Sequence, residues 1–478
     1  MPLPSRDHGA SPVSPGADGY LRDRALDVLL DPELAHVVDL VCWLEKGLVH
    51  VADAKGHVAL HPDGTCTQLA GRDPIAEQDP MSDSTSCYPY AAVRLHSLFA
   101  DPRAPDLAVV HTGAHAWPER GGHPGEHGSL NAIQSRAPLI LSGAGVTARG
   151  VVERVARTVD VGATLARLSG GSYDGMDGVP VPDAQPGAAH VVGLLWDGAQ
   201  CADLLSLAAA GELPAVARLL ARGCAYRGGA IAEFPSVTLV NHTSALTGVG
   251  PGRHGIVNNA FYDRALGQQV VPNSSATWHN AMQWLRPGVT TVFERLPAGV
   301  SSACVNDPVD VGATYSTFGL LRESGEGGGS LSSYLPVAAD DPHATQEHVT
   351  ANADYSWGTQ VDAAGLDQVL SLWREGDPPR LTWWNTTLTD SGHHAGGPGS
   401  AIARASLRDA DRRLGVWLDL VEERGLADDT VVLLTADHGM EAADPACTGD
   451  WDEALRRARV PFRDDAYGFV YLGHDVVG

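Results

Sequence analysis

The sequence predicts an α/β fold in which a largely parallel sheet is covered by helices. Two observations lead there. Strand-length apolar runs alternate with segments of helical period along most of the chain. Two of these runs, His190–Trp196 and Val431–Leu434, lead into aspartates, Asp197 and Asp437, and a parallel sheet carries its functional groups at the C-terminal ends of its strands.

Taken in order, residues 1–20 are rich in Pro, Gly and Ser and are expected to be disordered. Strands are expected at Val37–Leu40, Leu48–Val51, Leu107–Val110, Leu139–Leu141, His190–Trp196, Leu381–Leu388 and Val431–Leu434, with helices between them. Arg404–Arg424 is the clearest helix: Leu407, Leu414, Leu418 and Val421 share one face, and Gly425 stands just past its end. A shorter helix starts at Pro214 and stops at Gly223, the usual asymmetry of proline at a start and glycine at an end. Val179–Ala189 reads as a Pro/Gly/Ala-rich linker and Arg322–Asp341 as a mobile loop or insertion. No short-period repeat is visible.

The chain has 478 residues and a hydrophobic content of 44%, ample for a large core. Its formal charge of −25, from 33 basic against 58 acidic residues, argues against a binder of nucleic-acid duplex, which needs a basic footprint. The same balance disfavours docking on anionic lipid. Nearly all positive charge is arginine; Lys46 and Lys55 are the two lysines. The seven cysteines form no CxxC pair, which fits reduced thiols better than a disulfide framework. The N-terminal residues show no apolar signal-peptide core and no apolar run is long enough to span a membrane, so a cytoplasmic location is expected.

Three segments carry the chemistry. Phe234-Pro-Ser-Val-Thr238-Leu-Val-Asn-His242 places Thr238 where a turn becomes a helix, and Asn258 and Asn259 follow downstream. A hydroxyl at a helix N-terminus lies among backbone N–H groups that suit phosphate. Asp390-Ser-Gly-His-His394 and Thr435-Ala-Asp-His-Gly-Met440 are Asp/His clusters of the kind that bind zinc.

Together these segments resemble the nucleotide pyrophosphatase/type I phosphodiesterase family of the alkaline phosphatase superfamily. The resemblance implies an alkaline-phosphatase-like three-layer sandwich with a mainly parallel central sheet. It implies a zinc-dependent phosphodiesterase or nucleotide pyrophosphatase, with two zinc ions as cofactors and a small-molecule phosphodiester or nucleotide as substrate. Asp197, in Leu-Leu-Trp-Asp-Gly, matches the family's first aspartate and with Thr238, Asp437 and His438 would hold one zinc. Asp390 and His394 would hold the other with His127. His394 is chosen over His393 because Gly397-Pro398 then falls in the family's register. Asn259 matches the asparagine whose amide donates to a non-bridging phosphate oxygen; Asn258 is one residue out of register. Zinc would make the Thr238 hydroxyl available as an alkoxide. Two ions about 4 Å apart would clamp the attacking and leaving oxygens, and a phospho-threonine would form and then be hydrolysed.

The family's last histidine normally lies far downstream of the Asp-His-Gly segment. Here Gly122-His-Pro-Gly-Glu-His127-Gly-Ser, in the N-terminal part, resembles its setting. The order therefore looks circularly permuted. Residues 21–180 would be equivalent to the C-terminal part of the fold and residues 190–478 to its beginning and middle, forming one catalytic domain.

Each assignment has a rival. Thr238 could serve as a helix N-cap, and His123 or His474 could replace His127. His242 and His254 read as structural hydrogen-bonders, and Asp307 and Asp310 as residues that cap or solvate a loop. Trp383 and Trp384 read as core. A phosphomonoesterase or phosphonate hydrolase on the same scaffold is the alternative activity, and a non-catalytic binding protein is the alternative of a different class. A sulfatase is disfavoured because the Cys/Ser-x-Pro-x-Arg motif is absent.

Overall fold

A computed structural model describes residues 19–113, 115, 122–147, 150–323, 335–449 and 451–473. Residues 1–18 of the segment expected to be disordered, residues 324–334 of the expected loop, and His474 lie outside the described residues.

Helix α1 (Gly19–Leu29) takes in the last two residues of the expected disordered segment. It precedes β1 (Val38–Glu45), β2 (Leu48–Asp53), β3 (Gly56–Leu60), β4 (Cys66–Gly71) and β5 (Leu107–His111). These strands form an antiparallel sheet of their own, in the order β5-β1-β2-β3-β4, rather than joining a parallel one. The reason is local. Glu45 pairs with Leu48 across Lys46-Gly47, whose φ angles of 50° and 80° make a two-residue hairpin turn that matches strand twist. A parallel neighbour would need a long crossover instead.

The central sheet follows. Its elements are β6 (Leu139–Gly143), β7 (Gly150–Val152), α2 (Thr158–Leu168), β8 (His190–Trp196), α3 (Pro214–Ala221), β9 (Gly223–Tyr226) and α4 (Thr238–Thr247). Then come β10 (Ser302–Val305), β11 (Tyr315–Ser316), α5 (Ala353–Arg374), β12 (Leu381–Thr386), α6 (Leu388–Gly396), α7 (Ala401–Glu423) and β13 (Thr430–Thr435). The strand order is β11-β10-β12-β8-β13-β6-β9-β7. The first five are parallel, whereas β6 runs antiparallel to both β13 and β9, so the sheet is mixed at that end.

Both faces of this sheet are covered. Val192, Leu194, Trp196, Val432 and Leu434 face α3, α5 and α7 through Leu219, Val369, Trp373, Leu414 and Trp417. Val191, Leu195, Val431, Leu433 and Trp383 face α2 and α4 through Val161, Leu165, Ala245 and Leu246. Strands packed on both sides must be apolar at consecutive positions, which is why His190–Trp196 reads as a run and not an alternation.

Several boundaries have identifiable causes. The strand expected to reach Leu388 stops at Thr386, because the buried Asp362 carboxylate on α5 accepts the backbone N–H groups of Thr387 and Leu388 and turns the chain into α6. Helix α3 ends at Ala221, and Gly223 opens β9. The start of α3 has no capping side chain of its own; Asp411 of α7 accepts from Ala215 N and Val216 N instead. The expected linker over residues 179–189 is packed: Val181, Ala184 and Ala188 are buried, and Val181 N donates to Thr164 Oγ1 on α2.

Beyond β13, α8 (Trp451–Arg457) leads to β14 (Phe462–Asp465) and β15 (Phe469–Leu472). Strand β15 pairs antiparallel with β5, so the late chain returns to the first sheet. Ala25 and Leu29 of α1 share a core there with Trp451, Leu455, Phe462 and Val470.

Gly193 on β8 lies directly against the Trp383 indole, and a Cβ at Gly193 would run into the ring. Gly193→Val is expected to cost about 1–3 kcal/mol by overpacking. Urea unfolding followed by tryptophan fluorescence measures it; an unshifted midpoint would show that Trp383 moves aside freely.

Candidate active site

The parallel strands end on one edge, and their C-terminal ends deliver the acidic candidates. Asp197 follows β8, Asp437 and His438 follow β13, and Asp390 and His394 lie on α6 directly after β12. Gly198 is the close-packed residue between them. It adopts φ 62°, a Cβ there would strike the Asp390 side chain, and its N–H donates to Asp437 Oδ1 at 3.0 Å.

Thr238 is the first residue of α4, and Val237 occupies the N-cap position without a capping side chain. Thr238 is therefore not the cap; it opens a helix N-terminus, an end whose dipole suits an anion, although Leu239 N is already taken by Asn259. The loop before it is latched by Asn241, whose Oδ1 accepts from Glu233 N and whose Nδ2 donates to Pro235 O and Val237 O. Asn259 Oδ1 accepts from Leu239 N at 3.0 Å, which turns the amide NH2 of Asn259 away from that contact as a donor. Asn258 does something different: its amide donates to Ala466 O of the β14–β15 turn.

His127 comes from the segment before β6 and reaches this edge. Its Nδ1 donates to Ser236 O at 2.9 Å, and its ring stacks on His438 with centroids 3.7 Å apart. Donor atoms of His127, Asp390 and His394 lie within 4.8 Å of one another. The same spacing relates Asp197, Asp390 and His438, and also Asp197, His242 and Asp437. His394 Nε2 is 3.4 Å from Asp390 Oδ1, with Nδ1 donating to Gly125 O. His393 turns elsewhere: its Nδ1 donates to Thr389 O and its Nε2 faces Asp203. His123 stands at the rim, its ring 4.8 Å from that of His394.

Asp307 and Asp310 depart from the solvating half of their expected role, and His242 does more than hydrogen-bond in the core. Asp307 does not solvate a loop. It is fully buried and accepts from His242 Nδ1 and Trp383 Nε1, each at 2.8 Å, while also capping Val309 N. His242 is hydrogen-bonded as expected, but its Nε2 sits 3.6 Å from Asp197 Oδ2 and 3.7 Å from Asp437 Oδ2. The signal was the i, i+4 spacing of Thr238 and His242, which puts both on one face of α4. Asp310 is likewise buried, paired with Arg322 and Ser316. His254 is a core hydrogen-bonder: it accepts from Ile256 N and contacts Ser244, and burial pushes its pKa down to about 3. Trp383 and Trp384 are both core.

The electrostatics are those of a concentrated negative site. Burial, then the charges of Asp437 and Asp390, push the Asp197 carboxyl well above the usual carboxylate range. Asp437 moves the other way. Burial opposes its charge, but His438, His242 and the Gly198 N–H hold its pKa below the ordinary value. His438 is pushed up to about 9, since Asp437, Asp390 and Asp197 outweigh its burial. Asp197 Oδ1, Asp390 Oδ1, Asp437 Oδ2, His242 Nε2 and His438 Nε2 are buried with no hydrogen-bond partner. Oxygen and imidazole donors left in this way fit divalent cations of the zinc type.

Residues 191–476 match the family described as type I phosphodiesterase / nucleotide pyrophosphatase, and the chain belongs to that family. It is 25% identical over 215 residues to ectonucleotide pyrophosphatase/phosphodiesterase family member 3 of Mus musculus, covering 44% of this chain and 20% of that protein. It is 26% identical over 212 residues to a venom phosphodiesterase of Crotalus durissus collilineatus, covering 44% of this chain and 22% of that protein. The chain thus spans about a fifth of the length of these curated relatives. A solved murine ectonucleotide pyrophosphatase / phosphodiesterase 5 is similar over 54% of this chain and 59% of its own, with 18% identity and a TM-score of 0.37.

If these donors hold cations, binding must stabilise the folded state by linkage. Zinc added to chelator-stripped protein is expected to raise Tm by several degrees, and Asp390→Asn is expected to reduce the shift. Scanning calorimetry checks this; a Tm indifferent to zinc, cobalt and manganese would exclude a metal centre here.

Proposed function

We propose that the protein is a hydrolase of phosphoric diesters or nucleotide phosphoanhydrides that uses Thr238 as its nucleophile and two zinc ions as cofactors. The observation that carries this reading is the setting of Thr238. It opens α4, and its chain neighbours on both sides touch the Asp/His cluster: Ser236 O holds His127, and His242 faces Asp197 and Asp437.

The proposal assigns the donors to two sets. Asp197, Asp437 and His438, with Thr238, would hold one ion; Asp390, His394 and His127 would hold the other. Both sets are Asp/His without thiolate, which suits zinc. Bound there, the two ions would supply Lewis acidity to the threonine hydroxyl and neutralise charge on the phosphoryl oxygens. The chain's own residues do the rest. The Thr238 hydroxyl loses its proton to solvent and attacks phosphorus, the bond to the leaving oxygen breaks with that oxygen keeping the electron pair and taking up a proton, and a phospho-threonine remains for water to cleave. Asn259, its carbonyl held by Leu239 N, directs its amide at a non-bridging oxygen beside the N-terminus of α4. Hydrogen bonds from His127 Nδ1 and His394 Nδ1 to backbone carbonyls fix the tautomers that leave each Nε2 as the donor atom.

The circularly permuted order belongs to the same proposal. It is supported by the entry of β6 between β13 and β9, by the closeness of His127 to Asp390 and His394, and by the packing of α1 on α8.

Thr238→Ala is expected to lose turnover by orders of magnitude while keeping the fold and at least one metal. A variant retaining more than about a tenth of the wild-type rate would remove Thr238 from the nucleophile role. Chelation should abolish activity and zinc restore it. Diester substrates are expected to be preferred over monoesters: bis-p-nitrophenyl phosphate should show the higher kcat/KM. A reversed preference in that assay would favour a phosphomonoesterase, and turnover confined to phosphonates would favour a phosphonate hydrolase.

A further inference from the structure

His242 is a buried polar group at the site that neither the proposed ligand sets nor the proposed chemistry uses. It is fully buried on α4, four residues after Thr238. Three elements fix its ring. Its Nδ1 donates to Asp307, which follows β10, and Asp307 Oδ2 also accepts from the Trp383 indole on β12. Asp307 Oδ1 accepts from Val309 N, so the carboxylate is satisfied on both oxygens and cannot rotate away without losing a bond. Trp383 is itself clamped over Gly193 on β8. With the ring held in this way, Nε2 can face in one direction, and that direction is the gap between Asp197 Oδ2 and Asp437 Oδ2, at 3.6 and 3.7 Å. Nε2 has no hydrogen-bond partner. The two oxygens lie just beyond ordinary hydrogen-bond range.

A histidine that merely fills core would not be aimed in this way. His254, in the same motif, shows the contrast, since both its ring nitrogens have hydrogen-bonding partners inside the core. We propose that His242, oriented by Asp307 and Trp383, is a positioning residue for the first metal site: it sets the separation and direction of the Asp197 and Asp437 carboxylates that face the ion. The inference rests on the two-metal reading above. Groups that orient metal ligands from behind commonly matter by about 10–100-fold in metal affinity.

The test is zinc binding by the full chain in competition with a chromophoric chelator, with circular dichroism as the check on folding. Wild-type protein should take up two ions. His242→Gln and Asp307→Asn should each weaken one ion by about 10–100-fold and leave the other at wild-type affinity. Cobalt loaded at the weakened site should show a changed visible absorption spectrum. Asp307→Asn is nearly isosteric and keeps the pocket filled should His242→Gln fail to fold. Wild-type affinity at both sites in a folded variant overturns the inference and leaves the two-metal reading intact. Equal weakening of both sites overturns it in favour of a purely structural role. A wild-type protein that binds no zinc overturns the two-metal reading and this inference with it.

Discussion

Three carboxylates, those of Asp197, Asp390 and Asp437, converge at one edge of a buried sheet, and the architecture around them answers the repulsion this creates. Like charges a few ångströms apart in a low-dielectric setting are costly unless cations or donors lie between them. The protein supplies several: His438 against Asp437, the Gly198 N–H on Asp437, and His242 between Asp197 and Asp437. Even so, one oxygen of each carboxylate has no hydrogen-bond partner, as do His242 Nε2 and His438 Nε2. A cluster with that surplus is a candidate site for divalent cations.

The convergence depends on the sheet. Strands β8, β12 and β13 are adjacent and parallel, so their C-terminal ends fall on one edge, and each hands over an acidic residue within its following turn or helix. Gly198 lets the backbone after β8 pass close to Asp390, which brings the acidic groups from neighbouring strands together. Helix α4 then presents the positive end of its dipole, an attractive feature for an anion. Rigidity follows from the packing: the loop before Thr238 is tied by Asn241, and the ring of His242 is tied through Asp307 to the core tryptophan Trp383.

The antiparallel sheet plays a separate part. It packs α1 and α8 on one face, and through β15 it carries the β14–β15 turn to the site, where Ala466 O accepts from Asn258 and the Tyr467 hydroxyl lies 3.4 Å from His127 Nε2. One end of the site is thus assembled from residues more than 300 positions apart in the chain, a separation of 340 for Tyr467 and His127.

The strand runs at His190–Trp196, Leu381–Thr386 and Val431–Leu434 were legible in the sequence because a strand buried on both faces needs consecutive apolar residues, and few other structures do. The helix over residues 401–423 was legible from its period, and the candidate residues of the three motifs from their local spacing. The sequence did not reveal the second sheet, although Lys46-Gly47 carries its signal: a two-residue turn is a short feature beside the βα alternation of the rest of the chain. For Asp307 it left capping and solvating open: the aspartate does cap Val309 N, but its burial depends on His242 and Trp383, donors that arrive from other parts of the chain. Local patterns, set by periodicity and by the chemistry of neighbouring side chains, determined the elements and the candidate donors. Only the tertiary structure decided which donors face one another, because that depends on strand order and close approach at Gly198 and Gly193, and neither is encoded within any single segment.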